Sequence, residues 1–235
     1  KKNFKSLFED GSSVSVSPNG ETVAYLKRSE RNRTEIHFYD IATGVKWSMK
    51  VDTLSKFALA WSADGKNLIY NVRKGNGPLA ILNICVLNLA TKEVRQIIKE
   101  EKYKSYSPAP GPDGNLIAYY LEKDDGHDQI WLTDLTGSFY KNLTNDTATH
   151  NYYPGWMGDK KIFYTQSPAT LMTMDADGSN KYMIDGLSAT TVRYNVKTSR
   201  FAYIKSEEEN KLMLYDWHTK NVSEILDGAT MMALF

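Results

Sequence analysis

A tyrosine recurs at Tyr25, Tyr70, Tyr119, Tyr164 and Tyr203, at steps of 45, 49, 45 and 39 residues, each time inside a short apolar run. A polar residue closes the next apolar run in every case, at Asp40, Asn88, Asp134, Asp175 and Asp216. The runs follow turns of related sequence: SPNGETVAYL from Ser17, WSADGKNLIYNV from Trp61, PGPDGNLIAYYL from Pro110, WMGDKKIFYT from Trp156 and NVKTSRFAYIK from Asn195. Self-similarity on this scale dictates the fold before any local propensity does.

Short runs rich in Val, Ile, Tyr and Thr, separated by Asn-Gly, Asp-Gly and Thr-Gly, are the grammar of strands and hairpins. The 15 Tyr and 5 Trp against 7 Pro agree with strands. A repeat of about 45 residues with four short strands has the size of one β-propeller blade. The expected inner strands are SVSVS, FALAW, YSPAP, YYPGW and TVRYN, with the tyrosine strand second, the Asp-ending strand third and the last strand outermost. The expectation is an all-β chain, one β-propeller domain over residues 1–235 with five four-stranded blades. The alternative is an incomplete or truncated six-bladed ring. Phe4 to Glu9 or Ala229 to Phe235 could complete a blade at the other end of the chain. Lys92 to Lys104 also shows helical spacing of Val94, Ile97 and Ile98, but its place in the repeat predicts an outer strand, with room for a helical turn at Lys99 to Lys102.

Charge excludes several classes. With 29 basic and 28 acidic side chains the net charge is +1, too little to hold nucleic acid non-specifically. The longest uncharged apolar stretch, from Pro78 to Ala90, is about a dozen residues, too short to span a bilayer. One cysteine, Cys85 in an apolar third strand, excludes an internal disulfide and reads as a buried inert thiol.

The turns and the strands after them resemble the repeat of TolB-type β-propellers. Trp61-Ser62-Ala63-Asp64-Gly65, Pro112-Asp113-Gly114, Asn142-Leu143-Thr144 and Met174-Asp175-Ala176-Asp177-Gly178 carry the resemblance, and Lys197-Thr198-Ser199 departs from it. The resemblance implies a scaffold and a binding role rather than a reaction. It also implies an exported, periplasmic or other extracytoplasmic protein. Peptidase relatives carry their catalytic residues on a separate hydrolase domain, and the chain has no Gly-x-Ser-x-Gly elbow.

Strand order places the loops between second and third strands on one rim, with the connections leading into the inner strands. These longer loops make that rim the expected binding face. Its charges segregate: Lys27 to Arg33, Arg73 and Lys74 are basic, whereas Glu122 to Asp128 and Glu207 to Glu209 are acidic. A dipolar partner would suit them, and solvated loop tips would look the same. Tyr106, His150, Tyr152 and Arg193 lead into inner strands near the expected axis, where they either line a pocket or pack between blades. Trp61 and Trp156 are expected to pack between blades. The predicted ligand-binding set is Tyr106, His150, Tyr152, Arg193, Arg73 and His127. Asp124 to Asp128 reads as a plain turn, and Asp175 to Asn180 as a turn lacking the distal Glu of a calcium loop. No metal and no cofactor are expected.

Two functions follow. One is a non-enzymatic, monomeric propeller binding a protein or peptide on its loop-rich face. The other is a carbohydrate-binding or glycan-processing five-bladed propeller, for which Asp52, Glu101, Asp146 and Asp185 are the acids near inner strands. A fragment of a larger peptidase is a third reading.

Overall fold

The computed structural model describes residues 11–29, 33–51, 54–75, 77–122, 126–205 and 211–226. Successive antiparallel strands build the first unit from β1 (Gly11–Val16), β2 (Thr22–Arg28), β3 (Thr34–Asp40) and β4 (Lys46–Met49). The second unit holds β5 (Ser55–Trp61), β6 (Asn67–Lys74), β7 (Ile81–Asn88) and β8 (Val94–Ile98). The third holds β9 (Ser105–Pro110), β10 (Leu116–Glu122), β11 (Asp128–Asp134) and the two-residue β12 (Lys141–Asn142). The remaining seven strands form one sheet: β13 (Asn151–Trp156), β14 (Lys161–Gln166), β15 (Thr170–Asp175), β16 (Tyr182–Asn195), β17 (Arg200–Lys205), β18 (Leu212–Asp216) and β19 (Val222–Leu226).

This last sheet departs from the repeat as read. A break is expected between an outer strand and the next inner strand, yet β16 runs through it. Its first part pairs with β15, up to Thr170 opposite Ser188, and from Ala189 opposite Lys205 it pairs with β17. One strand thus closes the fourth unit and opens the fifth. The expected outer strand at Val94–Ile98 is formed, and no helical turn follows at Lys99 to Lys102.

The repeated polar residues close turns. Asp40 accepts from the Thr43 amide and hydroxyl, both at 2.7 Å, and Asn88 from the Ala90 and Thr91 amides at 3.0 and 2.9 Å. Asp134 and Asp216 do the same for the amides of Thr136, Ser138, His218 and Thr219. A side-chain oxygen that satisfies turn amides explains why the sequence repeats Asp or Asn there. At the other hairpin, Gly20, Gly65 and Gly114 have φ of +77°, +70° and +77°, a region that favours glycine.

The repeated tyrosines are all buried, at 0–3% exposure. Alternation along a strand sends successive side chains to opposite faces. Tyr70 therefore packs with the first unit, Tyr119 with the second, Tyr164 with the third and Tyr203 with the fourth. The core consists of these apolar layers between neighbouring units. Two indoles span the layers by hydrogen bond: Trp61 Nε1 donates to the Ser15 carbonyl (3.1 Å) and Trp156 Nε1 to that of Ala109 (2.8 Å). Both tryptophans pack between units as expected. Among the described residues, no helix is long and apolar enough to cross a membrane. Phe4 to Glu9 and Ala229 to Phe235 lie outside the described residues.

Candidate functional site

Buried polar side chains set where each inner strand begins. Asn71, fully buried, donates to the Ser105 carbonyl (2.8 Å) and accepts from the Ser107 amide (3.1 Å), while Ser105 Oγ donates to the Leu82 carbonyl (2.8 Å). These bonds tie β9 to the second unit and place Tyr106. Gln129 does the same one unit later. Its amide nitrogen donates to the Asp146 and Thr149 carbonyls, and its oxygen accepts from Thr144 Oγ (2.6 Å) and the Asp146 amide (2.8 Å). That network fixes the segment leading to His150. The sequence offered no sign of either amide's role.

A second device was also invisible in the sequence. The inner strands of the first four units each carry a β-bulge with one non-glycine residue at positive φ: Ser13 at 48°, Ala58 at 51°, Ser107 at 46° and Tyr153 at 53°. Left-handed backbone costs a non-glycine residue about 1–2 kcal/mol, and bulges commonly re-aim side chains.

Between the third and fourth units the result is a continuous aromatic wall. Tyr106 stacks on Tyr120 with ring centroids 4.9 Å apart. Tyr152 and Tyr153 meet Tyr120 edge-on at 6.1 and 5.6 Å. His150 stacks on Tyr152 at 5.9 Å and lies 4.9 Å from His127. Four predicted residues, Tyr106, His127, His150 and Tyr152, are therefore brought together. Tyr120 and Tyr153 were missed. Tyr120 had a signal, because it follows a repeated tyrosine where the other copies have Leu26, Asn71, Thr165 and Ile204.

The wall has an acidic edge. His150 Nδ1 lies 3.1 Å from Asp128 Oδ2 and 3.2 Å from the Asp128 amide nitrogen. Protonated, that nitrogen donates to the carboxylate; unprotonated, it accepts from the amide. Burial raises the Asp128 carboxyl above its ordinary range, with Glu122 adding to the rise and His150 opposing it. Burial, then the Asp128 and Glu122 charges, raise the Tyr106 phenol.

On its other side Tyr106 borders a cavity of about 780 Å³ lined also by Arg28, Lys56, Phe57, Arg73 and Lys104. Arg73 of the predicted set therefore shares a cavity with Tyr106. Its Nη2 donates to the Gly77 carbonyl at 3.1 Å. Arg193 stands on the fifth unit's part of β16, exposed, with Nη1 donating to the Val192 carbonyl at 2.9 Å. Desolvation by the surrounding protein lowers its pKa from the ordinary value. Tyr194 packs on Phe201 at 4.7 Å and belongs to the core.

The opposite rim, which carries the tight turns, also has a cavity of about 620 Å³, with Phe38, Trp47 and Trp61 in its walls. Two further candidates, Asp146 and Asp175, have structural duties. Asp146 caps a turn through the Ala148 amide (2.8 Å) and the Thr149 hydroxyl, which lower its pKa. Asp175 accepts from Lys161 Nζ (2.6 Å) and Asn180 Nδ2 (2.7 Å), so that loop is the expected turn. Among the described residues no three His, Cys, Asp or Glu side chains are grouped to hold a metal. Asp52, Asp124, Asp125 and Glu207 to Glu209 lie outside the described residues. Cys85 is buried, as expected.

No protein-family profile matches the chain, and no curated protein matches it. Solved structures do. A putative TolB from Agrobacterium tumefaciens is 21% identical with a TM-score of 0.60, over 72% of this chain and 62% of that one. TolB from Acinetobacter baumannii is 20% identical with a TM-score of 0.64, over 87% and 50%. An oligogalacturonate lyase in complex with manganese is 13% identical with a TM-score of 0.66, over 89% and 63%. The chain thus spans between half and just under two thirds of these structures' lengths. Its antiparallel four-stranded units and these likenesses give the chain the fold of the TolB-like β-propellers.

Proposed function

We propose that the chain is a non-enzymatic binding propeller that captures an extended protein or peptide segment on its loop-rich rim. In this reading residues 1–235 form one monomeric domain of five blades in the bacterial cell envelope. The observation that carries it is the wall of Tyr106, Tyr120, Tyr152 and Tyr153, where Tyr153 stays 49% exposed on a backbone held in the left-handed region. Tyrosines offer large, stiff contact area at small entropic cost, with a hydroxyl at the tip. The likeness to TolB structures supports the binding role.

A carbohydrate reading draws on the same exposed Tyr153 ring, which could stack on a sugar face, and on the likeness to the lyase structure. The two readings separate on paired peptide and glycan arrays probed with the full chain and with Tyr152→Ala/Tyr153→Ala. Peptides retained by the wild type, and bound at least about tenfold more weakly by the variant (about 1.4 kcal/mol), are the expected result. Retention of glycans alone would replace the peptide reading with the carbohydrate one.

A further inference from the structure

We infer that the cavity shared by the first three units is the seat for an acidic stretch of the peptide partner. This rests on the peptide reading above. Arg28, Lys56, Arg73 and Lys104 line it together with Phe57 and Tyr106, and its described lining holds no carboxylate. Elsewhere several cations pair with carboxylates, Lys161 with Asp175 at 2.6 Å, Arg200 with Asp216 at 3.1 Å and Lys211 with Glu224 at 3.4 Å. Among the described residues no carboxylate pairs with Arg28, Arg73 or Lys104. Lys56 is only 3% exposed, and its Nζ donates to the Leu54 carbonyl at 2.9 Å.

Gathering Arg28, Arg73 and Lys104 around one recess is unfavourable without an anion, so the arrangement favours one. Arginine forks fit carboxylates in two-point geometry, and the bond to the Gly77 carbonyl holds the Arg73 fork in place. The volume suits several side chains rather than one small ion. Tyr106 selects a peptide as the source of carboxylates, since it lines the cavity and also begins the aromatic wall. Glu122 and Asp128, opposite each other across β10 and β11 with Asp128 against His150, disfavour acid over the wall and so set direction. The acidic stretch lies over units one to three, and an aromatic or basic stretch follows over units three and four.

The test is an array of short synthetic peptides in which acidic and aromatic content vary independently, probed with the labelled full chain. Retained peptides should be enriched in Asp and Glu next to an aromatic residue. Fluorescence anisotropy on the strongest of them should weaken with salt and fall at least tenfold in Arg28→Glu/Arg73→Glu. Both side chains are exposed, and Arg28→Gln/Arg73→Gln serves if the reversal unfolds the chain. Peptides retained without acidic bias, or with a bias that neither variant changes, would overturn the acidic seat and leave the peptide reading standing. Trigalacturonate is the third probe. Its binding by the wild type with no peptide retained would overturn both readings, as would the binding of neither.

Discussion

Tyr152 and Tyr153 are neighbours in sequence, yet their rings lie 5.6 Å apart and both face Tyr120. In a regular strand they would point to opposite faces. The bulge between Tyr152 and Gly155 turns them together, at the cost of a positive φ at Tyr153. A residue held in strain while half exposed adds little to the core. Its position makes sense as presentation of a ring to a partner.

Tyr153→Gly tests that separation of stability from binding. Glycine relieves about 1 kcal/mol of strain and costs a similar amount in unfolded-chain entropy. The expected Tm therefore stays within about 2–4 °C of the wild type. Peptide affinity, measured by calorimetry, should fall at least about tenfold. A large drop in Tm would show that the ring supports the fold.

The core layer beneath the wall should behave oppositely. Trp156 is 8% exposed and is bonded to the Ala109 carbonyl. Trp156→Phe should cost about 1 kcal/mol for the lost bond, and Trp156→Ala about 3–5 kcal/mol. A Cβ added at Gly155 would lie 2.1 Å from Phe163 Cζ, so Gly155→Ala should cost about 1–3 kcal/mol through forced repacking. Urea unfolding measures all three.

What the sequence disclosed follows from where its chemistry is local. Asp40, Asn88 and Gly65 are demanded by turns a few residues long, and Tyr70 and Tyr119 by burial at a fixed place in each unit. These repeat and can be read. Asn71 reaches Ser105 from 34 residues away, and its role depends on two units being adjacent. The left-handed residues are Ser, Ala, Ser and Tyr, with no glycine to mark them. The join at Ser188 and Ala189 was hidden because a strand changing partners looks locally like any other strand. Tyr106, His150 and Tyr152 could be placed from the repeat, whereas their common wall depends on the bulge.

Two carboxylates should move the acid limb of stability in opposite directions. The Asp128 carboxyl is raised above the ordinary 3.8, mainly by burial, so the folded chain holds that proton more tightly. Its contribution falls as pH rises from 3.8 through the raised value. Asp134 is lowered well below 3.8 by bonds from Ser138 and Thr136, which outweigh its desolvation, so its contribution is present above 3.8 and lost as pH falls. Asp128→Asn should therefore steepen the acid limb, and Asp134→Asn should flatten it while costing on the order of 1–3 kcal/mol at neutral pH. Urea midpoints across a pH series will show it. Slopes changing in the same direction would contradict the assignment.

The repeated tyrosines set the alkaline limit. Burial raises the phenols of Tyr25, Tyr119, Tyr164 and Tyr203, and pushes Tyr164 up to about 12 from 10.0. A phenol whose folded pKa exceeds its unfolded one gives stability that is complete below the unfolded value and lost as pH rises through the folded value. Between 10.0 and about 12 the fold therefore weakens as Tyr164 ionises, and the other raised phenols act in the same direction. The buried group should ionise together with loss of the strand signal in circular dichroism. Tyr164→Phe keeps the ring and removes the ionising group, so it should shift alkaline unfolding to higher pH and take one phenolate out of the cooperative step. Gradual ionisation of Tyr25, Tyr119, Tyr164 and Tyr203 with the sheets intact would mean that these rings are open to solvent and that the layers between units are not packed as described.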